Sequence, residues 1–345
     1  MSKILVAMSG GVDSSVAAAI LKKQGHTVVG ANMLLSPDAT ENDALDAKKV
    51  AEKLGIPFYI FDFKDMFEQS VINPFCGSYY KGETPNPCVL CNKAIKFGKF
   101  LDKAIELGFD KIATGHYAYI VEENGMFKLN RASSDKDQTY VLYNMNQHIL
   151  SRTVFPLAKM DNKDEVRNIA AEVGLEIASK PDSQEICFIK DNNYAKYISE
   201  RMNTEDKCGD FIDLSGNVIG HHKGIIHYTI GQRKGLGGGF SEPKFVVGIN
   251  PQKNQVILGS NSDVFSSALI GKDANYLSGN TPESPIKVHA KVRYNSPAVP
   301  ATLIPDGSNV RVEFDAPERA VTPGQAVVFY DGDTLIGGAT IVSKA

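Results

Sequence analysis

The sequence predicts an α/β protein: an open parallel sheet covered by helices on both faces, followed by two small β-rich domains, the last a β-barrel. Three observations predict it. Apolar strand-like runs alternate with helical periodicity through the first half of the chain. A glycine turn joins the first strand directly to the first helix. From Gly209 onward strands are short, glycine and proline recur every few residues, and helical periodicity stops.

Ile4–Met8 reads as the first strand and Ser14–Gln24 as the first helix. Thr27–Leu35 is a second strand, and Asp43–Leu54 a helix closed by Gly55. Phe58–Phe61 is a third strand. A helix over Met66–Tyr80 must be kinked or split by Pro74, whose missing N–H breaks the hydrogen-bond ladder. The turn-rich stretch Gly82–Pro87 leads to a helix from about Cys91 to Leu107, and Lys111–Thr114 is a fourth strand. A hairpin, Tyr119–Val121 with Met126–Arg131, turns at Asn124-Gly125. Helical segments follow at Asp137–Met145, Gln147–Ser151 and Lys163–Val173. The expected domains are 1–208 for the sheet, 209–277 for the central β-rich unit and 286–345 for the barrel, with 278–285 as linker.

Composition narrows the function classes. The 345 residues are 43% hydrophobic and 22% charged, and no apolar run approaches the length of a membrane span. A strand begins within three residues of Met1, leaving no room for a signal peptide, and five cysteines, an odd number, favour a reducing cytoplasm. A net charge of −3 does not mark a general nucleic-acid binder, so a polyanion would have to meet a local patch.

Met8-Ser9-Gly10-Gly11-Val12-Asp13-Ser14-Ser15 carries the strongest chemical signal. The glycines let backbone approach a ligand closely, Ser14 or Ser15 is a candidate helix cap, and the first N–H groups of the helix point at negative charge. The spacing is neither that of P-loop NTPases nor that of dinucleotide folds. It resembles the pyrophosphatase (PP) loop of adenine-nucleotide α-hydrolase-like enzymes, which split ATP into AMP and pyrophosphate. Its alternative reading is an ordinary tight strand-to-helix turn.

A second constellation is Cys88-x-x-Cys91 with a distant Cys187. Cys91 is expected at a helix N-terminus beside the capping candidate Asn92 and near Lys93, which would lower its thiol pKa. The apolar neighbours Ile186 and Phe188 would shelter a reactive sulfur on Cys187. No metal site is certain: a structural zinc would need two more ligands, and three cysteines suffice only for an iron–sulfur site with one open iron. Cys76 and Cys208 have no supporting context. Lys93, Lys96, Lys99 and Lys103 share one face at α-helical spacing, either a phosphate-binding stripe or a solvated face. His221, His222 and His227 read as a surface loop.

With these blocks in place, the chain resembles the MnmA/TrmU family of tRNA-specific 2-thiouridylases along its whole length. The resemblance rests on Met8–Ser15, Thr84–Asn92, Thr114–Tyr117, Asp135–Tyr140, Ser183–Phe188 and Tyr228–Gly237. It implies ATP-dependent 2-thiolation of the wobble uridine: the C2 oxygen is adenylated, and sulfur follows from a cysteine persulfide. ATP would be held by Ala7, Met8, Ser9, Gly10, Gly11, Val12, Asp13 and Ser14, with Met33 and Gly115 around adenine and ribose, and Mg2+ would bridge the phosphates near Asp13. The alternative for Asp13 is helix capping. Cys187 would carry the persulfide and Cys91 would be its partner thiol. Cys88 stands where familiar members carry Asp, which leaves it either a proton-transfer group or a ligand of a [4Fe-4S] cluster with Cys91 and Cys187.

The resemblance also places tRNA, through its anticodon stem-loop, against Asn86, Pro87, Cys88, His116, Lys136, Asp137, Gln138, Arg293, Tyr294 and Gln325. It implies an upstream sulfur-carrier protein as persulfide donor, no membrane, and a monomer whose three domains grip one tRNA. The rival functions are another ATP-pyrophosphatase ligase, such as an amidating synthetase, and a non-catalytic RNA-binding or iron–sulfur protein.

Overall fold

The computed structural model describes residues 1–133, 136–160, 162–175, 186–204 and 206–345. Asp135 and Ser183–Glu185, parts of two blocks quoted above, lie outside them.

Five parallel strands form the first sheet: β1 (Lys3–Ala7), β2 (Thr27–Leu34), β3 (Phe58–Asp62), β4 (Lys111–Ala113) and, beyond the hairpin of β5 (Ala118–Glu123) and β6 (Met126–Arg131), β7 (Thr153–Val154). Their order is β3-β2-β1-β4-β7. The chain winds outward to β3 and returns on the other side of β1, so the reversal point lies between β1 and β4. Crevices for ligands open there, beyond the carboxyl ends of the strands. Alternate residues of β1 feed two cores: Leu5 and Ala7 join one, Ile4 and Val6 the other. Two-sided burial is why every residue from Ile4 to Ala7 is apolar.

On one face lie α1 (Val12–Lys23) and α2 (Leu45–Leu54), the latter closed as expected by a left-handed Gly55. On the other lies a long, interrupted helical stretch. It begins with α3 (Lys64–Phe67), passes through a π-turn at 68–72, and resumes as α4 (Asn73–Tyr80). Pro74 sits at the start of α4, so the helix is split where its missing donor falls.

The next helix starts four residues earlier than expected, as α5 (Pro87–Cys91). It continues as a π-helical segment over 92–99 and ends as α6 (Phe100–Glu106). The cap is Asn86, whose Oδ1 accepts from the Cys88 N–H at 3.1 Å, and Pro87 in the first helical position presets the backbone. The expected helix over Asp137–Met145 is reduced to a single 3-10 turn at Thr139–Leu142. Asp137 accepts from Thr139 N–H and Oγ1 at 3.3 and 2.8 Å, and this local bonding competes with a helix. Then come α7 (Gln147–Ser151), α8 (Lys163–Glu172), which packs on α1, and α9 (Tyr194–Met202).

The central unit is a four-stranded sheet of β8 (Gly209–Ile212), β9 (Val218–His222), β10 (Phe245–Asn250) and β11 (Gln255–Gly259). Six strands close the last domain into a barrel: β12 (Phe265–Tyr276), β13 (Ile286–Lys291), β14 (Val299–Asp306), β15 (Asn309–Arg319), β16 (Ala326–Asp331) and β17 (Thr334–Lys344). They run in the order β12-β15-β14-β13-β16-β17 and the ring closes by β12–β17 pairing. Two groupings differ from expectation. Strand β12, grouped by sequence with 209–277, pairs with β15 and β17, and the hairpin strand β6 pairs with β17 through Leu129 and Leu335. Both pairings are long-range, and nothing in the local pattern of either strand announces its partner. Among the described residues, no helix is long and apolar enough to cross a membrane.

Candidate active site

The glycine loop lies at the reversal point. Met8 is buried, its N–H donating to Ala31 O at 2.7 Å and its carbonyl accepting from Asn32 Nδ2 at 2.9 Å. Gly10 adopts φ +78°, and a Cβ there would stand 2.9 Å from Asp46 Cβ. The residue at the helix cap is Gly11, and no side chain caps α1. The expected caps, Ser14 and Ser15, instead lie within the first turn, where both hydroxyls donate back to Gly11 O at 3.2 and 2.8 Å. Ser14 Oγ also accepts from the Ser9 N–H at 3.2 Å, tying the loop across its own bend. An uncapped helix start keeps its N–H groups for an anion.

Gly115 follows β4 and presses on this loop: a Cβ would lie 2.7 Å from Ser14 N and 2.8 Å from Asp13 C. Ala7 closes β1, and Met33, half-buried, stands at the carboxyl end of the neighbouring β2. Val12 is buried and opens α1. Asp13 does not cap the helix. Its Oδ1 accepts from Tyr117 OH at 2.7 Å and from Lys163 Nζ at 2.6 Å, with the lysine side chain only 12% exposed. Neither Tyr117 nor Lys163 was singled out for this site by the sequence, because nothing local marks a residue whose partner is more than a hundred positions away.

The cysteine cluster lies on the other face of the sheet. Cys88 is exposed on the first turn of α5, Cys91 is buried at its end, and Cys187 is exposed. The three thiols are close enough to influence one another's ionisation, and half-buried Lys96 acts on both Cys91 and Cys187. Phe188 sets the position of Cys187 by inserting into an aromatic nest of Phe67, Phe75 and Tyr197, with centroids 5.5–5.6 Å away. Burial pushes the Cys91 thiol up to about 12; Cys187 and Cys88 add to the rise and Lys96 opposes it. The expected depression is therefore reversed. With Asn86 as cap, Cys91 lies more than a turn inside the helix, away from the free N–H groups, and desolvation of a thiolate prevails. Exposed as it is at the surface, the Cys187 thiol is also raised, by desolvation from the protein packed around it, with Cys88 adding and Lys96 opposing.

Among the described residues, no three His, Cys, Asp or Glu side chains are grouped to hold a metal ion. Cys76 is buried in the core and Cys208 is exposed. The carboxylates Asp206 and Asp210 lie beside His227 and His221, at 2.6 and 2.9 Å.

His116 is 8% exposed, packed tilted against Phe97 and edge-on against Phe155, and bonded through Nδ1 to Thr114 Oγ1 at 2.7 Å. Burial, with Lys96 adding, drives its pKa well below the ordinary histidine value, so the ring is neutral. It is a buried group, not an exposed contact. The lysine stripe is also altered. The π-helical turn at 92–99 is wider than an α-turn, so Lys93 and Lys99 face solvent while Lys96 turns inward.

The remaining candidates fall into two groups. Lys136 is exposed, and Tyr294, 37% exposed, lies within electrostatic reach of Cys88 and donates to Asp137 O at 3.4 Å. Gln138 Oε1 accepts from the Tyr117 N–H at 3.1 Å. Asn86 and buried Pro87 shape the start of α5. Arg293 and Gln325, in contrast, brace domains: Arg293 Nη2 donates to Ile230 O and Thr322 Oγ1 at 2.6 and 2.7 Å, and Gln325 Nε2 donates to Thr84 O at 2.8 Å. The Thr84 N–H donates to Pro323 O at 2.8 Å, so the barrel holds the loop that leads into the cysteine helix.

Comparison with known proteins divides the chain into three matched segments. Residues 2–191 match a family model described as tRNA methyl transferase HUP domain, residues 195–260 a tRNA methyl transferase PRC-barrel domain, and residues 266–341 an aminomethyltransferase beta-barrel domain. The tRNA-specific 2-thiouridylase MnmA of Acetivibrio thermocellus is 49% identical over 98% of this chain and 99% of that protein. MnmA 2 of Clostridium tetani is 49% identical over 98% of each, and MnmA of Clostridioides difficile 47% over 98% of each.

Proposed function

The chain belongs to the tRNA-specific 2-thiouridylase family, and from that premise we propose that it replaces the C2 oxygen of the wobble uridine of tRNA with sulfur, driven by ATP. The observation that carries the reading is that Cys88, Cys91 and Cys187 lie within electrostatic reach of one another, with Lys96 acting on the last two, in a molecule whose sheet also presents an uncapped glycine loop.

A pyrimidine C2 carbonyl is a poor electrophile with a poor leaving group, and adenylation corrects both. The C2 oxygen bonds to the α-phosphorus of ATP, the α–β anhydride breaks, pyrophosphate leaves, and the N3 proton passes to solvent. The loop from Ala7 to Ser14 would border the phosphates, with the uncapped N–H groups at the start of α1 as donors, and Met33 and Gly115 would border the nucleoside. Magnesium binds proteins through one or two carboxylates plus substrate phosphates, and Asp13 is the carboxylate that would share it here.

Sulfur then arrives on Cys187 as a persulfide from a donor protein. In one order, its terminal sulfur attacks C2 and AMP leaves with the former uridine oxygen. The Cys91 thiolate then attacks Cys187 Sγ, forming a Cys91–Cys187 disulfide and freeing the 2-thiouridine. In the other order, Cys91 attacks Cys187 Sγ first, and the released sulfide adds to C2 as AMP leaves with the former uridine oxygen. Both orders consume one thiolate attack on a sulfur–sulfur bond and leave the same disulfide. Lys96 favours the thiolate form of both cysteines. Cys88, exposed on the first turn of its helix, would relay a proton.

A base must leave its stack to reach this cluster, and Tyr294 offers an aromatic face close to Cys88 on which it would rest. Lys136 would meet the adjoining phosphates. Asn86, Pro87, Asp137 and Gln138 shape that face, while Arg293, Gln325 and His116 act through the parts they brace.

Incubation with ATP, magnesium, a sulfide source and unmodified tRNA, followed by digestion to nucleosides, tests the proposal. 2-Thiouridine at the wobble position is expected. Its absence both aerobically and anaerobically contradicts the reading.

A further inference from the structure

We propose that Lys163 is a phosphate-binding residue for the β- and γ-phosphates of ATP, held by Asp13 until the nucleotide arrives. The proposal rests on the ATP-site reading above and adds a residue from outside the glycine loop.

Lys163 is the first residue of α8, whose start is fixed by Asn162: its Oδ1 accepts from the Glu165 N–H at 3.0 Å. Helix α8 packs against α1 through Val166 and Ala170, in one core with Val12 and Val16. Two helix starts therefore meet side by side, and the lysine of one reaches the first turn of the other. Its ammonium lies 2.6 Å from Asp13 Oδ1, which also accepts from Tyr117 OH at 2.7 Å.

A carboxylate in the first turn of an anion-binding helix is a liability, because it repels the ligand that the N–H groups attract. Asp13 sits in that turn, one residue before Ser14, in contact with the loop. A lysine beside it cancels the repulsion. Its flexible four-carbon stem also lets the same ammonium turn from carboxylate to phosphate oxygen when ATP enters. Charge accumulates on the β-phosphate oxygens as the α–β bond breaks, and a preplaced cation there stabilises the departing pyrophosphate. AMP carries none of those oxygens, which gives the assignment a signature.

Binding of ATP, inorganic pyrophosphate and AMP is measured by calorimetry in EDTA, on wild type, Lys163→Met and the double variant Lys163→Met/Asp13→Asn. EDTA removes any contribution of a metal at Asp13. ATP and pyrophosphate are expected to bind on the order of 10- to 100-fold more weakly to Lys163→Met, the loss typical of a charge-assisted hydrogen bond, with AMP within about twofold of wild type. The double variant is expected to stay weak. Recovery of ATP binding in the double variant would mean that Lys163 only masks Asp13, and overturns the proposal. So does an equal loss for AMP, or no loss at all. Failure of the wild type to bind ATP in EDTA and again with magnesium restored would overturn the ATP-site reading itself, a result distinct from the other three; binding with magnesium alone would overturn the lysine proposal, since a preplaced ammonium holds pyrophosphate without metal.

Discussion

In the glycine loop the working groups are backbone N–H donors, aimed by a strand, two glycines and a helix that adjoin in sequence. In the cysteine cluster they are side chains from two distant segments: α5 supplies Cys88 and Cys91, and the aromatic anchor Phe188 supplies Cys187. The loop is complete as folded, with Gly115 pressed onto it and no cap to displace. The cluster is held in check, with burial keeping the Cys91 thiol at about 12 and the Cys187 thiol raised. Backbone geometry thus makes a site that is ready before its ligand, whereas side-chain chemistry in a desolvated setting waits for its substrate.

The comparison breaks most visibly at Cys187. Cys187→Ser is expected to abolish thiolation in the nucleoside assay while tRNA affinity by gel shift stays nearly intact; loss of binding would contradict its role. At the loop, Gly115→Ala forces a Cβ to 2.7 Å from Ser14 N. Overpacking of this kind is expected to weaken ATP binding about 10- to 100-fold in calorimetry, without changing cysteine reactivity. Unchanged ATP affinity would mean that the loop is softer than described.

Alkylation sharpens the contrast at the cluster. Iodoacetamide at neutral pH is expected to label the exposed Cys88, Cys187 and Cys208 and to spare Cys91, as read by peptide mass spectrometry. Labelling of Cys91 should rise roughly tenfold per pH unit below its pKa, since thiolate is the reacting form. Lys96→Met should slow both Cys91 and Cys187. Early labelling of Cys91 would show that its burial is not maintained.

The smallest effect concerns His116. Its folded pKa lies well below the unfolded value near 6.5, so the unfolded chain binds the extra proton. Stability is then full above about pH 6.5 and falls with acidification, by up to about 1.4 kcal/mol per pH unit. Urea unfolding at stepped pH should show this slope, and His116→Phe should remove it.

Much of the loop was legible in the sequence, because strand, glycine pair and helix adjoin and each has its own period. The fourth strand and the turn at Asn124-Gly125 were legible for the same reason, and both turn residues take positive φ. The start of the cysteine helix was not. Two asparagines compete as caps, and Pro87 in the first helical position decides for Asn86. The π-helical turn at 92–99 escaped because spacing rules assume an α-turn, and with it escaped the inward position of Lys96. Strand β12, Lys163 and the bracing roles of Arg293 and Gln325 depend on partners far along the chain, which no local pattern encodes.

The claim at the centre of this account is that sulfur leaves Cys187 with Cys91 as the resolving thiol. Enzyme carrying a single persulfide, mixed once with ATP and unmodified tRNA and then quenched in acid with an alkylating agent, allows peptide mapping of every cysteine. One Cys91–Cys187 disulfide per 2-thiouridine formed is the predicted result. Stoichiometric 2-thiouridine with Cys91 recovered as a free thiol would contradict it.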